Sequence, residues 1–152
     1  MVNVLAPFSG RALPLSDVPD PVFSTALVGP GAAAEPTSSG RVIAGSPVSG
    51  RIRKLHPHAF VVVSADGAGV LVHLGIDTVQ LAGNGFELLA TEGGEVVAGD
   101  PMVAWWPEEV RRGGRSVVSP VIALDARPEA LSDVRVEGQV AAGEPLFVWI
   151  RA

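Results

Sequence analysis

Two segments of this chain share one motif, in which glycine and valine are followed by a glycine, an acidic residue and a proline. Residues 94–101 (GEVVAGDP) recur at residues 138–145 (GQVAAGEP). A shorter pair is formed by residues 7–11 (PFSGR) and residues 47–51 (PVSGR). In each long segment a short strand runs into a Gly-acid-Pro turn and then into a second apolar strand, which predicts a duplicated hairpin. Duplicated hairpins favour two quasi-symmetric halves that pack as an antiparallel β-sandwich.

The composition supports short strands and turns rather than long helices. The chain has 18 Gly and 13 Pro among 152 residues, and 47% of its residues are hydrophobic. The only helical candidates are short: residues 85–91, and residues 107–112, where a proline and two acids precede two arginines and a glycine pair. We therefore predict an all-β fold, an antiparallel β-sandwich or barrel-sandwich with only short helical turns, in a single domain over residues 1–152.

Charge and cysteine content exclude several classes of protein. The chain has no cysteine, which excludes disulfides and thiolate metal sites. Its net charge of −5 disfavours nucleic acid as a partner and suits an encounter with a basic protein surface. No apolar run approaches the roughly 20 residues of a membrane span, and no basic region precedes an apolar stretch at the N-terminus. We expect a cytoplasmic protein without a nucleic-acid partner.

A second hairpin is predicted in the middle of the chain. Residues 60–64 (FVVVS) and 70–74 (VLVHL) are short, apolar and rich in valine, which predicts two strands. The dipeptide Asp66-Gly67 between them predicts a two-residue turn of type I′, which needs positive φ at both central positions.

This hairpin register predicts that two histidines lie side by side. His73 faces Phe60 and His58 faces Gly75, and residues on one face recur at every second position. His58 and His73 are therefore expected on the same face as diagonal neighbours, about 7–8 Å apart at the backbone. A register shift of one residue would place them on opposite faces.

Two converging histidines suit two kinds of chemistry. A neutral imidazole is a nucleophile near physiological pH, so one ring could attack a phosphoryl group while the other donates a hydrogen bond to its oxygens. Alternatively, His58 and His73 could both ligate zinc, which usually needs at least one further protein ligand. Ordinary histidines of a β-sheet, each with a satisfied ring, are the third interpretation.

Residues 67–79 (GAGVLVHLGIDTV), with His58-Ala59-Phe60 upstream, closely resemble the glucose-type enzyme IIA (EIIA) of the bacterial sugar phosphotransferase system (PTS). The resemblance covers nearly the whole chain. Further similar segments follow in the family's order at residues 4–10, 17–23, 81–86 and 94–100.

The resemblance implies a phosphotransferase component that forms a phosphohistidine and requires no cofactor. His73 would accept phosphate from the histidine phosphocarrier protein HPr, with His58 as its supporting neighbour. The phosphate would pass to a cysteine on the IIB domain of a sugar permease, so the protein would visit the membrane transiently. Metabolic enzymes or permeases that it regulates are further candidate partners, and a zinc ion shared with a partner could bind His58 and His73.

The same resemblance implies a docking surface around the histidines. Its expected members, here called the docking patch, are Val22, Phe23, Phe60, Leu71, Asp77 and Val79. Thr78 would border the site with Asp77.

One departure from the family leaves an alternative open. The family commonly has a Thr-Asn pair before its first histidine, whereas this chain reads His56-Pro57-His58. His56 either substitutes for the missing hydroxyl or lies in an exposed loop.

The alternative function is a LytM-like zinc peptidase that uses the cluster of His56, His58, His73 and Asp77. That family, however, places its H-x-x-x-D motif before H-x-H, and the order here is reversed.

Overall fold

The computed structural model describes residues 1–151, and its regular structure is almost entirely strand. The strands are β1 Val2–Leu5, β2 Gly10–Pro14, β3 Gly31–Pro36, β4 Val42–Gly45, β5 Gly50–His56, β6 Ala59–Val63, β7 Gly69–His73, β8 Phe86–Leu88, β9 Glu95–Val96, β10 Pro101–Trp105, β11 Ser119–Ala123, β12 Leu131–Ser132, β13 Gln139–Val140 and β14 Pro145–Trp149. The helices are α1 Pro21–Ser24 and α2 Pro107–Arg112, with single 3₁₀ turns at Leu15–Asp17, Thr78–Leu81 and Pro128–Ala130. In this part of the chain no helix is long and apolar enough to cross a membrane.

Every strand pairing within residues 1–151 is antiparallel. Eight strands form the largest sheet in the order β13-β2-β3-β11-β7-β6-β5-β9, and two three-stranded sheets have the orders β1-β14-β12 and β4-β10-β8. The longer of the two helices, α2, has 6 residues. The predicted all-β, antiparallel class with only short helical turns is confirmed.

The duplicated segments turn corners between sheets. Strand β9 pairs with β5, whereas β10 pairs with β4 and β8. In the second repeat β13 pairs with β2, whereas β14 pairs with β1 and β12. An acidic side chain closes each corner: the N–H of Val97 donates to Asp100 at 2.8 Å, and the N–H of Ala141 donates to Glu144 at 2.6 Å. The predicted antiparallel β-sandwich is therefore confirmed, whereas the predicted duplicated hairpins are wrong, because the two strands of each repeat lie in different sheets.

The β6–β7 hairpin has a register one residue away from the predicted one. Ala59, not Phe60, lies opposite His73, because three residues form the loop between Ser64 and Ala68, whose backbone groups hydrogen-bond at 2.9 Å. A type I′ turn needs two residues with positive φ, and here only Gly67 has it, at +91°. The Asp66 carboxylate accepts a hydrogen bond from the Ser64 hydroxyl, which favours the wider loop.

The register divides β7 between two apolar clusters. Val70, Val72 and Leu74 belong to the main core, whose largest fully buried side chains are Trp105, Phe8, Phe60, Phe147, Ile52, Leu74, Met102 and Leu146. The second cluster consists of Leu13, Leu15, Val18, Phe23, Ala33, Ile76, Val118 and Ile122, and half-buried Leu71 packs against it. His73 shares its face of β7 with Leu71, on the side of the second cluster.

This division removes Phe60 from the docking patch. Phe60 pairs with Val72, is 0% exposed and belongs to the main core, so a partner cannot contact it. The one-residue shift is the cause, since each step along a strand reverses the face on which a side chain lies.

The two helical candidates have different outcomes. Residues 107–112 form α2, with Pro107 at its start, acidic residues in its first turn and arginines in its last. The segment 85–91 is not helical: its central residues form β8, which pairs with β10. Phe86 stacks on Trp105 with ring centroids 5.9 Å apart and planes 5° apart, so tertiary packing overrides the local preference.

Truncating Phe60 tests its place in the core. Phe60→Ala should lower the free energy of unfolding by about 3–5 kcal/mol, the usual cost of a cavity from a deleted aromatic ring. Val79→Ala is the control from the original patch, because Val79 is 60% exposed and should change stability by less than about 0.5 kcal/mol. Urea denaturation of both variants gives the comparison, and a small effect of Phe60→Ala would contradict the observed register.

Candidate functional site

His73 lies at the end of β7 and is half-buried against α1. Its ring is 5.2 Å from that of Phe23, between centroids. Its Nδ1 lies 2.6 Å from the carbonyl oxygen of Gly75. A carbonyl oxygen only accepts, so Nδ1 carries the hydrogen, and in the neutral ring the lone pair is on Nε2. The backbone therefore determines which nitrogen of His73 can act as a nucleophile.

The backbone at Gly75 can be formed only by glycine. Its φ is +76°, a conformation that side chains rarely adopt. A Cβ there would lie 2.7 Å from the carbonyl oxygen of Ser116 and 2.8 Å from Cγ2 of Thr78. A larger residue at this position would therefore displace the carbonyl that faces His73.

His58 reaches His73 from the turn between β5 and β6. The two rings are 5.3 Å apart between centroids and nearly perpendicular, at 70°. The backbone oxygen of His58 accepts from the N–H of Leu74 at 2.7 Å. In a continuous strand this pairing would place the two histidines on opposite faces, but a turn residue does not follow strand alternation. The predicted proximity is therefore correct, while the predicted reason for it is wrong.

His56 also contacts this pair. Its exposed side chain stacks on His58 with centroids 5.7 Å apart and planes 21° apart. It ends β5, while Pro57 and His58 form the following turn. Three imidazoles thus form a continuous row from solvent to His73.

The surroundings of the two inner histidines favour their neutral forms. Burial lowers the pKa of His73, and this effect is opposed by the hydrogen bond to Gly75 and by the charges of Asp20 and Asp77. Burial, followed by the positive charges of His73 and His56, lowers the pKa of His58 to about 4. At neutral pH the rings of His58 and His73 are therefore uncharged, and the lone pair on Nε2 of His73 is available.

The other predicted site residues have different degrees of exposure. Val22 and Val79 are exposed, at 42% and 60%, and Asp77 is exposed as well. Phe23 is buried against His73, and Leu71 is only half-buried. Thr78 is buried at 1% exposure and donates its hydroxyl to the carbonyl of Leu74 at 2.8 Å.

Two contributing residues were missed by the sequence analysis. The carboxylate of Asp20 caps α1 by accepting from the N–H of Val22 at 2.9 Å, and it influences the pKa of His73. The dipeptide Asp20-Pro21 could have indicated this capping position, because proline is common as the first residue of a helix. Arg115 donates to the carbonyl of Asp77 at 3.1 Å from 38 residues away, a contact for which the sequence contains no signal.

The donor set does not form a protein-only metal site. Within residues 1–151 no group of three or more His, Cys, Asp or Glu residues could hold a metal ion. His58 and His73 could supply two nitrogens, so a zinc ion would need a ligand from elsewhere. The zinc-peptidase alternative, which required His56, His58, His73 and Asp77 to act together, is not supported.

Comparisons with known proteins agree with one another. The sequence profile of the family described as phosphoenolpyruvate-dependent sugar phosphotransferase system, EIIA 1, matches residues 2–128. The chain is 38% identical over 145 residues to the PTS system glucose-specific EIIA component of Staphylococcus aureus, covering 94% of this chain and 86% of that protein. It is 37% identical over 127 residues to the same component of Staphylococcus epidermidis, covering 82% and 75%. The structure of glucose permease IIA from Mycoplasma capricolum matches with a TM-score of 0.88 and 36% identity, covering 96% of this chain and 94% of that one.

The sandwich fold and these relatives define a phosphotransferase that works through a phosphohistidine. The chain belongs to the EIIA family of the phosphoenolpyruvate-dependent sugar phosphotransferase system. It is a phosphocarrier that takes phosphate from HPr and passes it to the IIB domain of a sugar permease. The predicted family, fold class, activity and principal partners are confirmed.

The low pKa of His58 predicts a pH-dependent stability. Between pH 6.5 and about 4 the unfolded chain protonates this residue while the folded protein resists it, so the free energy of unfolding falls as the pH falls through this window. His58→Gln removes this contribution. From pH 7 to pH 5, urea denaturation should therefore show a smaller loss of stability for His58→Gln than for the wild type. An equal loss in both proteins would contradict the assigned environment of His58.

Proposed function

We propose that His73 is the phosphoryl acceptor of this chain and that Nε2 is the atom that becomes phosphorylated. The observation that carries the proposal is the hydrogen bond from Nδ1 to the Gly75 carbonyl at 2.6 Å, which leaves the lone pair on Nε2. The lowered pKa of His73 supports it, because a protonated imidazole has no lone pair to donate.

The transfer needs no proton carrier. The lone pair of Nε2 attacks the phosphorus of the phosphohistidine on HPr, and the P–N bond of the donor breaks as the new one forms. In the second step a cysteine thiolate of the IIB domain attacks the same phosphorus, and the electron pair returns to Nε2. Positioning and stabilisation of the transferred group therefore supply most of the catalysis.

His58 has the supporting function in this proposal. Its ring is nearly perpendicular to that of His73 and 5.3 Å from it, which is close enough for His58 to donate a hydrogen bond to a phosphoryl group on Nε2. His56 covers the outer face of His58. A zinc ion shared with a partner remains part of the proposal, with His58 and His73 as this chain's two ligands.

The docking surface proposed for HPr and the IIB domain is a revised patch. It consists of Val22, Leu71, Asp77 and Val79, with Phe23 beneath His73. Two exposed valines beside a half-buried histidine can exclude water from the labile P–N bond when a partner covers them. Exposed Asp77 gives this surface a negative charge that suits a basic donor.

The cellular setting follows from the same proposal. The Staphylococcus relatives are named glucose-specific, which supports a glucose permease as the acceptor. The protein would then work in the cytoplasm and visit the membrane-bound permease.

Residues 1–152 are proposed as one domain, since one apolar cluster includes side chains from Val4 to Trp149.

The acceptor assignment is tested by phosphorylation and intact mass. After incubation with phosphoenolpyruvate, enzyme I and HPr, the wild type should gain one acid-labile phosphoryl group, and His73→Gln should gain none. His58→Gln is the matched control at the neighbouring imidazole: it should accept the group but transfer it to a IIB domain poorly. An acid-labile phosphoryl group on His73→Gln would exclude His73 as the acceptor.

The docking surface is tested by a polar substitution at its most exposed apolar member. Val79→Asn should raise KM for phospho-HPr about tenfold with little change in kcat, because the contact of one valine is worth roughly 1.4 kcal/mol. Val97→Asn is the control, because Val97 is 65% exposed and follows β9, which pairs with the end of β5 away from His56. Similar KM values for the two variants would place the docking surface elsewhere.

A further inference from the structure

Both peptide groups that meet at the α-carbon of Gly75 are held by hydrogen bonds. In the first, Leu74–Gly75, the carbonyl accepts from the Thr78 hydroxyl at 2.8 Å and the N–H donates to Oγ of Ser119 at 3.1 Å. In the second, Gly75–Ile76, the carbonyl accepts from Nδ1 of His73 at 2.6 Å. The N–H of this second group donates to a backbone carbonyl at 3.0 Å. All four polar groups therefore have partners.

The orientation of the Ser119 hydroxyl is fixed by its partners. An amide N–H can only donate, so Oγ accepts from Gly75 and directs its own hydrogen to the carbonyl of Val117, 3.0 Å away. Ser119 begins β11 and is 0% exposed. Water cannot replace the hydroxyl without a rearrangement, because the surroundings are closed to solvent.

Gly75 is the flexible point in this arrangement. A glycine has no side chain to restrict φ and ψ, so its carbonyl direction depends on how the flanking peptides are held. Ser119 and Thr78 hold the first peptide at both ends, which fixes φ at +76°. The carbonyl that faces His73 can then keep its direction while the imidazole approaches it.

We propose that Ser119 is a positioning residue for His73. Through the N–H of Gly75 it fixes the carbonyl that selects the Nδ1–H tautomer and orients the ring, although Ser119 itself does not touch the reacting atoms. The consequence for phosphoryl transfer rests on the proposed function of His73, whereas the effect on the tautomer does not.

The expected signature is a mixed tautomer. In Ser119→Ala the Leu74–Gly75 N–H loses its acceptor, the peptide can rotate, and the Gly75 carbonyl no longer faces Nδ1 in every molecule. A fraction of His73 then carries its hydrogen on Nε2, where no lone pair is left for attack. Only the Nδ1–H fraction can accept phosphate.

The tautomer is measured on the unphosphorylated protein by ¹⁵N NMR of the histidine rings at neutral pH, with His73→Gln used to assign the signals. The wild type should show the Nδ1–H form of His73, and Ser119→Ala a measurable share of the Nε2–H form. Ser46→Ala is the matched control, because Ser46 is 1% exposed and its hydroxyl donates to the carbonyl of Val48 at 2.7 Å, away from the histidines. Ser46→Ala should leave the tautomer unchanged.

The kinetic measurement separates positioning from docking. Ser119→Ala should lower kcat for phosphoryl transfer from HPr about tenfold and leave KM unchanged, since misalignment of the nucleophile affects the chemical step alone. A His73 tautomer and a kcat equal to those of Ser46→Ala would overturn the proposal.

A second variant covers the case in which Ser119→Ala does not fold. Thr78→Val removes the other hydrogen bond to the Leu74–Gly75 peptide while keeping the shape of the side chain. It should produce the same mixed tautomer, and an unchanged tautomer would overturn the proposal. Phosphorylation of His73→Gln, in contrast, would refute His73 as the acceptor and leave the tautomer result intact, so the two failures are distinguishable.

Discussion

The site depends on the hydrogen bond between Nδ1 of His73 and the carbonyl of Gly75, 2.6 Å long. It requires the chain to leave β7 two residues after the histidine and to turn with a positive φ, which only glycine adopts at low cost. It also requires the segment before β11 to lie close enough to hold the turn, and the N–H of Ile76 accordingly donates to the carbonyl of Ser116. The orientation of this one imidazole thus depends on two segments that are distant along the chain, the turn after β7 and the segment before β11.

The eight-stranded sheet provides a second constraint, because its two faces are both covered. Val70, Val72 and Leu74 belong to the main core, so the opposite face of β7 carries the second cluster and His73. There the histidine is half-buried against Phe23. That degree of burial lowers the pKa of the ring and still leaves it within reach of a partner. For the proposed transfer through His73, a deeper position would keep a partner from the ring, and a more exposed one would allow protonation and hydrolysis.

The sequence was a sufficient guide to the features that depend on local composition. Turn-rich, apolar segments predicted the all-β class, and the order of proline, acids and arginines predicted α2. The hairpin register was not predictable in the same way, because it depends on whether Asp66 adopts positive φ or bonds to Ser64. Phe60 was misplaced as a result. The strand β8 depends on the stacking of Phe86 on Trp105, which no local pattern contains.

The electrostatics of the three imidazoles suit both the unphosphorylated and the phosphorylated form of a phosphocarrier. Before transfer, burial and the neighbouring imidazoles disfavour a charge on His58, so its ring stays neutral beside His73. On the proposal that His73 accepts the phosphoryl group, the transfer brings a negative charge close to His58, which favours the protonated form of His58. The same ring then donates a charge-assisted hydrogen bond, which is stronger than a neutral one. On this proposal His58 stabilises the phosphorylated form more than the unphosphorylated form, because the charge of His58 changes with that of His73.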